Sequence, residues 1–577
     1  MIEINKVLRV TPRLLISLYK YGATRWHNAF NHLADTLDAI VVKKDGLDAD
    51  LDANNFTIKN AKDPIDAQDF VTLSFAESLF LSGNDPANIP ITSLNKGTAG
   101  NSQFLKINSV GAIIGTKLPI MATRSELLNG RNIADSFGFS IAADGEFIVV
   151  GVHNYFYDMN GENEQANAGA AFVYQYNKVT GYYTIIQRLI AFGINGRNVN
   201  DNFGISVAIS NNVIVIGASS HNYDTLGTNA LDFAGAAFVF RYDGISNWTN
   251  EQKLIGFGVN GRNSFDSFGE NVAISGDVII IGSKQHSYDA IGNNDLFGAG
   301  AVFVFRYDGI SNWTNEQKLT GFGANGRNAL DQFSNALSIN NNIIIIGSMN
   351  HSYDSAGNNY LLNAGAAFVF RYDGISNWIN EQKLTGFGTN GRTANDYFGK
   401  SVSIDNNVIV VGSHQHEYDI VGANALSGAG AVFVFRYDGI SNWVNEQKLT
   451  GFGTNGREDG AFFGSKVSIY ANTIIISAPF YSFDKNGANS LGKAGIVFTF
   501  SYNGISNWDD GQRLIGLGFN GRNQNDNFGS SIVITSQLIV IGTDSHDYDE
   551  NGDNYLSFSG AAWVWNNTNY PFYKQKL

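Results

Sequence analysis

The chain has 577 residues, no cysteine and a formal net charge of −14. The missing cysteines exclude disulfide-stapled folds and thiolate metal sites. The negative charge, spread along the chain, argues against binding to nucleic acid or insertion into a membrane. A hydrophobic content of 44% with 64 glycines, 41 phenylalanines and 25 tyrosines predicts a folded chain with many turns between aromatic-rich strands.

Residues 1–48 are predicted to form a helical segment for attachment and oligomerisation. Thr11 and Pro12 mark a helix start. An apolar stripe then follows at spacings of 4, 3, 4 and 3, through Trp26, Phe30, Leu33, Leu37 and Ile40. The stripe suits a short coiled coil, and equally a single amphipathic helix packed on its own chain. The start, MIEINKVLRVTPRLL, has no signal-peptide pattern, and no apolar run reaches membrane-spanning length, so we expect synthesis in a cytoplasm without an anchor.

Residues 49–129 are predicted to form a stalk and connector. The stretch LDANNFTIKNAKDPIDAQDFVTLSF at 51–75 resembles a phrase of phage tail fibres that marks an interlocked trimeric stalk. The stretch SLNKGTAGNSQFLKINSVGAII at 93–114 resembles a second fibre phrase, found between a stalk and the next domain. The resemblance implies a homotrimer that is attached to other virion tail proteins through residues 1–129.

Residues 130–577 repeat one pattern seven times, in copies that begin near 133, 199, 264, 329, 394, 459 and 524. The second copy contains four β-like runs, FGISVAIS, NVIVIGAS, GAAFVFRY and NWTNEQKLI. A four-stranded sheet cannot bury both of its faces alone, whereas seven sheets stacked around an axis can. We therefore predict a mainly β fold, a seven-bladed propeller of four-stranded antiparallel blades. The last copy is expected to take its fourth strand from KQKL at 574–577.

The order FG, S-V-A-I, V-I-V-I-G-A, G-A-A-F-V-F and W-x-x-E-Q-K-L resembles the FG-GAP repeats of bacterial propellers, which are distantly related to the integrin alpha-subunit propeller. In integrin-type repeats a D-x-D-x-D-G-x-x-D loop between the first two strands holds calcium. Here that connection is only S-N-N, S-G-D or N-N-N, which is too short for a cage of oxygen ligands. No cofactor is therefore expected at that position.

The phrase H-x-Y-D recurs in five copies, in the long loop after the second strand. A ring of imidazoles and phenols could bind a receptor on the long-loop face. These candidate receptor-binding residues are His221, Tyr223, His286, Tyr288, His351, Tyr353, His416, Tyr418, His546 and Tyr548. Alternatively they tie down each loop, with the aspartate as an Asx cap. Repetition in nearly every blade favours this structural role.

Two further loop features call for an interpretation. Clustered side-chain oxygens in two loops are weaker candidates for binding calcium. They are Asp484 and Asn486 in the sixth copy, and Asp549, Asn551 and Asp553 in the seventh. An arginine and an aspartate four residues later, such as Arg262 and Asp266, are expected to pair and pin the blade-to-blade loop. The sixth copy has Ala461 at the aspartate position, so that pinning should be weaker there.

No catalytic residue is predicted. Five G-x-G-x-x-G matches are followed by no helical period, so they indicate turns rather than dinucleotide binding. No metalloprotease, serine-hydrolase or Cys–His pattern occurs. The leading hypothesis is a non-enzymatic tail fibre protein, made in the host cytoplasm and incorporated into the virion, whose propeller binds a host-surface glycan or protein. The alternatives are a polysaccharide depolymerase and a tail or baseplate decoration protein without receptor binding.

Overall fold

The structure, a computed structural model, describes residues 115–117, 132–178, 181–518, 520–549, 552 and 554–566. Within these ranges 28 strands form seven four-stranded sheets, and no helix occurs. The predicted seven-bladed propeller is therefore confirmed. The chain divides into two compact units, Met1–Asn101 and Ser102–Leu577, and the propeller lies in the second. The predicted helix at 1–48 and the fibre phrases at 51–75 and 93–114 lie outside the described residues.

The blades are numbered in chain order, and each antiparallel sheet runs from an inner to an outer strand. Blade 1 contains β2 (Ser140–Asp144), β3 (Phe147–Val152), β4 (Ala170–Asn177) and β5 (Tyr182–Leu189). Blade 2 contains β6 (Phe203–Ser210), β7 (Val213–Ala218), β8 (Ala236–Tyr242) and β9 (Trp248–Leu254). Blade 3 contains β10 (Phe268–Ser275), β11 (Val278–Ser283), β12 (Ala301–Tyr307) and β13 (Trp313–Leu319). Blade 4 contains β14 (Ala336–Asn340), β15 (Ile343–Ser348), β16 (Ala366–Tyr372) and β17 (Trp378–Leu384).

The remaining blades follow the same order. Blade 5 contains β18 (Phe398–Asp405), β19 (Val408–Ser413), β20 (Ala431–Tyr437) and β21 (Trp443–Leu449). Blade 6 contains β22 (Val467–Tyr470), β23 (Thr473–Ala478), β24 (Ile496–Tyr502) and β25 (Trp508–Leu514). Blade 7 contains β26 (Ser531–Ile534), β27 (Leu538–Thr543), β28 (Ala561–Asn566) and β1 (Gly115–Lys117).

The second strand of each blade is apolar on both of its faces. In β3, Ile148 and Val150 pack in the cluster shared with blade 7, whereas Val149 packs in the cluster shared with blade 2. Successive side chains of a strand point to opposite faces, so one run of β-branched residues serves two interfaces. The core of the propeller therefore consists of layers between sheets, and each blade depends on both neighbours.

The FG pair at the start of the inner strand joins adjacent blades. Phe203 forms a parallel bridge with Gly169 of blade 1, and its ring lies 5.5 Å from the ring of Phe238. Gly169 has a φ of 83°, and a Cβ atom there would lie 2.0 Å from the Phe203 carbonyl oxygen, so the backbone approach requires glycine. The bridge recurs at Phe137–Gly560, Phe268–Gly235, Phe398–Gly365, Phe463–Gly430 and Phe528–Gly495.

A reciprocal hydrogen-bond pair joins the outer strands. The Gln252 side-chain amide donates to the Trp313 carbonyl at 3.0 Å, and the Trp313 backbone N–H donates to Gln252 Oε1 at 2.8 Å. The pair also joins Gln187 to Trp248, Gln317 to Trp378, Gln382 to Trp443 and Gln447 to Trp508. Because both groups are satisfied across the seam, the outer edges of the blades are held in register as well as the inner ones.

The ring is closed by β1, which precedes all the other strands. β1 pairs antiparallel with β28, with Thr116 opposite Val564. The other edge of β28 is paired with β27, so the expected fourth strand from 574–577 has no free edge of β28 to occupy, and that expectation is wrong. Residues 574–577 themselves lie outside the described residues. At the inner strands, Ser531 Oγ of blade 7 donates to the Gly138 carbonyl at the start of blade 1 at 2.6 Å.

We predict that Thr116→Pro weakens the closure. Proline has no N–H and fixes φ, so it disrupts a strand of only three residues, and we expect the free energy of unfolding to fall by about 1–3 kcal/mol. Urea unfolding of the full chain measures this effect, with Thr116→Ala as the matched control. Gln575→Pro should leave the urea midpoint unchanged. If Gln575→Pro lowered the urea midpoint and Thr116→Pro did not, the fourth strand of blade 7 would come from the C-terminal residues instead.

Candidate functional site

The two sets of long loops emerge on one face of the propeller. In blade 2, residues 219–235 connect β7 to β8, and residues 255–267 connect β9 to β10 of the next blade. Because the strands alternate in direction, both loops lie at the same end of the sheet. The short connections 211–212 and 243–247 lie at the other end. We call these ends the long-loop face and the turn face.

The histidines of the H-x-Y-D phrase lie inside the long-loop face. His221, His286, His351, His416 and His546 are each 0% exposed. Their Nδ1 atoms lie 3.0–3.1 Å from a carboxylate oxygen of Asp201, Asp266, Asp331, Asp396 and Asp526, respectively. The same carboxylate of Asp266 accepts the backbone N–H of Asn263 at 2.7 Å. A side chain without accessible surface cannot contact a receptor in this conformation, so we assign these histidines to positioning the two loops.

The tyrosines of the same phrase are partly accessible. Tyr223, Tyr288, Tyr353, Tyr418 and Tyr548 are half-buried, with ring centroids 6.0–6.2 Å from the neighbouring imidazole. Tyr353 also packs on Tyr360 at 5.3 Å, and Tyr548 packs on Tyr555 at 5.5 Å. The tyrosines therefore lie between the buried pair and the solvent, and their contact with a receptor stays a prediction.

The aspartate of the phrase caps its own loop. Asp224 Oδ1 accepts the backbone N–H groups of Leu226 at 3.0 Å and Thr228 at 2.9 Å, and its other oxygen accepts from Asn229 at 2.6 Å. The hydrogen bond from Thr228 is the largest of the effects that hold the pKa of Asp224 well below its usual range. This is the Asx-type role expected from the sequence.

The calcium candidates take part in the same capping. Asp484 accepts the backbone N–H groups of Asn486 at 2.8 Å and Ala488 at 3.0 Å. Asp549 accepts the Asn554 side-chain amide at 2.6 Å, whereas Asn551 and Asp553 lie outside the described residues. In the part of the chain that the structure describes, no three histidine or acidic side chains converge as a metal-binding group. We assign Asp484 to loop capping, because both of its carboxylate oxygens accept hydrogen bonds from its own loop.

The arginines of the blade-to-blade loops have partners other than those expected. Arg262 Nη2 donates to the Asn222 carbonyl at 2.6 Å, and its Nη1 donates to the Asn229 carbonyl at 3.1 Å. Asp266 instead binds His286 and Asn263. The expected Arg262–Asp266 pair is therefore wrong. The guanidinium fork fits two carbonyls of the preceding blade's loop, and the equivalent arginines Arg197, Arg327, Arg392, Arg457 and Arg522 do the same.

Blade 6 pins its loops with different groups. Tyr481 replaces the histidine, is 0% exposed and donates its hydroxyl to the Asn455 carbonyl at 2.6 Å. Ala461 stands at the aspartate position, and Glu458 Oε2 accepts the Ser482 backbone N–H at 2.7 Å. In blade 1 the histidine is also replaced by a tyrosine, Tyr155, but the aspartate is kept as Asp135, which accepts the Asn132 backbone N–H at 2.7 Å.

A groove of about 380 Å³ lies at the seam between blades 1 and 2 and includes Phe192, Ile194, Thr225 and Lys253. The Lys253 ammonium donates to the Asp224 carbonyl at 2.6 Å, and burial lowers the pKa of Lys253 to about 8. Because this lysine holds a loop of its own blade, we assign the groove to the frame. By the frame we mean the strands and hydrogen-bonded loop residues that recur from blade to blade. No helix that could span a membrane occurs among the described residues.

The FG-GAP repeat family matches residues 187–240, 248–305 and 378–435 of the chain. The chain therefore contains FG-GAP repeats, as the sequence pattern predicted. No curated protein matches the chain.

Solved structures of low similarity include a Lactobacillus plantarum protein, with 9% identity, a TM-score of 0.39 and coverage of 73% of this chain and 99% of that one. A candidate 6-phosphogluconolactonase from Bacteroides uniformis has 11% identity and a TM-score of 0.40, covering 72% and 98%. Saccharomyces cerevisiae Sqt1 has 10% identity and a TM-score of 0.34, covering 76% and 97%. At these values the likenesses carry no argument about function.

We predict that Asp266→Ala destabilises the propeller by about 2–4 kcal/mol, because it leaves the buried His286 imidazole and the Asn263 N–H without their acceptor. Urea unfolding measures the loss, and Asp232→Ala, an exposed aspartate of a neighbouring loop, is the control. Adding His286→Tyr should recover part of the loss, since blade 6 combines tyrosine with alanine. An Asp266→Ala midpoint equal to that of the control would contradict the pinning role.

Proposed function

We propose that this chain is a non-enzymatic tail fibre protein of a phage and that its propeller is the receptor-binding module. The long-loop face contacts a glycan or protein of the host surface. Residues 1–129 attach the protein to other tail proteins of the virion and associate three copies. Support for the virion assignment comes from the two fibre-like phrases at 51–75 and 93–114, which precede the β-rich repeats.

The observation that carries the receptor-binding role is a set of exposed aromatic side chains on the long-loop face. Phe233 and Phe265 stack at 5.6 Å, and Phe297, Tyr360 and Tyr555 are also exposed. Each belongs to a loop position that carries a different residue in most other copies. Aromatic residues are enriched in protein interfaces, and binding usually resides in variable loops held by a rigid frame.

Backbone conformation strengthens this argument at Phe265. Its φ is 67°, in the left-handed region that disfavours bulky side chains. At the equivalent position Asn200, Asn395 and Asn525 have φ values of 61–64°, where asparagine is tolerated well, and Ala134 and Leu330 have φ values of 61° and 62°. Folding alone favours asparagine there, so a phenylalanine that is 58% exposed points to a role outside the fold.

A binding role fits the way the repeated polar residues are used. The repeated aspartates cap loops or bind histidines, and the repeated arginines bind backbone carbonyls. Glycoside hydrolysis needs a pair of carboxyl groups that are free to reach the substrate. The repeated carboxylates are committed to hydrogen bonds within the frame, which favours binding over depolymerisation. Three propellers on one fibre would add avidity to weak single contacts.

The full-length protein should bind host cells saturably and release no oligosaccharide from extracted surface polysaccharide. Adsorption is measured with fluorescently labelled protein, and sugar release is measured by a reducing-end assay. Released oligosaccharide would instead support a depolymerase. Neither adsorption nor release would support a decoration protein and would overturn this proposal.

Phe265→Asn should reduce host adsorption about tenfold, the loss of one aromatic contact of a little over 1 kcal/mol. Its unfolding free energy should stay within about 1 kcal/mol of the parent, because relief of the φ strain offsets the lost ring stack. Ile245→Asn is the control, since Ile245 is 84% exposed on the turn face. Loss of adsorption in the control, with Phe265→Asn unaffected, would move the contact to the turn face.

A further inference from the structure

The inner strands of the seven blades surround a central channel. Each contacts the inner strand of the next blade, and β26 of blade 7 contacts β2 of blade 1. At the long-loop end, the first two residues after the FG pair and the residue just after the second strand belong to the channel rim. In blades 3, 5, 6 and 7 these positions carry charged residues, namely Glu270, Lys284, Lys400, Lys466 and Asp544.

Contacts between successive inner strands place these residues around one ring, with β18 of blade 5 against β22 of blade 6, and the pKa directions agree with that placement. Burial, followed by the charges of Lys466 and Lys284, lowers the pKa of Lys400 to about 8. Burial also lowers the pKa of Lys466, which Asp544 and Glu270 oppose. Glu270 belongs to blade 3 and Lys466 to blade 6, and two blades separate them. Groups in blades that are not neighbours interact in this way only through the channel.

Lys400 and Lys466 are the cations of this rim that lack a close counter-ion. Lys284 forms an ion pair with Glu270. Asp544 accepts the Ser545 hydroxyl at 3.0 Å, and burial raises its pKa. Within the residues that the structure describes, neither Lys400 nor Lys466 forms an ion pair. The Lys466 residue is exposed to solvent, so a ligand can reach it.

An aromatic cluster lies beside the two lysines, between blades 5 and 6. The His414 ring lies 5.6 Å from Tyr397 and 5.3 Å from Phe462, and Phe462 lies 5.2 Å from Phe480. The Lys400 backbone N–H donates to the Tyr397 carbonyl at 3.1 Å, which places the lysine next to the cluster. Burial, followed by the charge of Lys400, lowers the pKa of His414 to about 3, so the imidazole is neutral at physiological pH.

Two of these aromatic residues are held in a strained backbone conformation. Tyr397 and Phe462 have φ values of 53° and 57°, at the position that precedes the FG phenylalanine. The equivalent residues Ser136, Asn202, Ser267, Gln332 and Asn527 have φ values of 52–58°. This region of φ disfavours a bulky aromatic residue. Blades 5 and 6 therefore carry aromatic residues where the other blades carry small or polar ones, and they do so beside the lysines that form no ion pair.

We propose that the channel rim at blades 5 and 6 binds an acidic sugar residue, with its carboxylate on Lys400 and Lys466 and its ring against Tyr397 and Phe462. Ammonium groups form charge-assisted hydrogen bonds to a carboxylate, and aromatic rings pack on the apolar face of a pyranose. The inference rests on the proposed receptor-binding function, because it names the class of glycan that the propeller recognises.

Titration calorimetry of the full-length protein with glucuronate tests the site, with glucose and acetate as comparison ligands. We expect saturable glucuronate binding that is at least tenfold tighter than binding of either comparison ligand. Lys400→Ser, Lys466→Ser and Tyr397→Asn should each weaken glucuronate binding about tenfold or more. Each introduces a residue that other blades carry at the same position, so the fold should be retained. Lys178→Ser, an exposed lysine outside the channel, is the matched control.

The pH profile is a second readout. The bound carboxylate favours protonated Lys400, so affinity should be highest below pH 8 and should fall as the pH rises through the Lys400 pKa of about 8. The other groups that interact with Lys400 are Lys466, Lys284, Glu270 and His414, and Asp544 interacts with Lys466. Of these, Lys466 also has a lowered pKa, so Lys400→Ser should reduce the fall in affinity near pH 8 and Lys466 should account for what remains.

The outcomes separate this inference from the proposed function. Equal binding of glucuronate and acetate would overturn the sugar assignment, and absence of any glucuronate binding would overturn the site. If host cells still adsorb the protein in either case, the receptor-binding proposal stands on its own. Glucuronate binding that depends on Lys400 and Lys466, in a protein that adsorbs to no cells, would support the site and overturn the proposed function.

Discussion

The fold depends on one constraint. Each of the seven described sheets has two apolar faces, and its own four strands cannot cover either face. The alternation of Ile148, Val149 and Val150 between two clusters shows how one strand serves both neighbours. Such a sheet is stable only between two others, and a row of sheets leaves its end faces in water. Closing the row into a ring removes both ends. The bridges at the FG residues and the outer Gln–Trp hydrogen bonds then fix the distance between successive sheets and their offset along the axis of the ring.

The frame explains most of the polar residues that recur from copy to copy. The His–Asp pair, the Asx cap and the arginine on two carbonyls satisfy buried or constrained polar groups of the long loops. Residues that the frame does not explain are few, and several are bulky side chains at positive φ, such as Phe233, Phe265, Tyr397 and Phe462. They occur on one face and around one end of the channel. The residues with a strained backbone are thus also residues that differ from those at the same position in most other copies.

The sequence predicted the blade count because its signals are local. Each copy carries its own phenylalanine anchor, its own β-branched run and its own turns, so the period is visible without any knowledge of pairing. It did not predict β1, because GTK at 115–117 has no strand pattern and its partner β28 lies at the other end of the chain. The arginine contacts were missed because the acceptors are backbone carbonyls, which leave no trace in residue identity. The convergence of Glu270 and Lys466 exists only once the ring has closed.

The pairing of β1 with β28 sets an order on biosynthesis. A ribosome releases β1 before any blade exists, and it must then add every residue up to Ala561–Asn566 before the partner strand appears. At roughly 5–20 residues per second, that interval is on the order of a minute. Throughout it blades 1 to 6 can stack on one another, while the first blade keeps an uncovered face. The nascent propeller is therefore an open arc until β28 has been synthesised and can pair with β1.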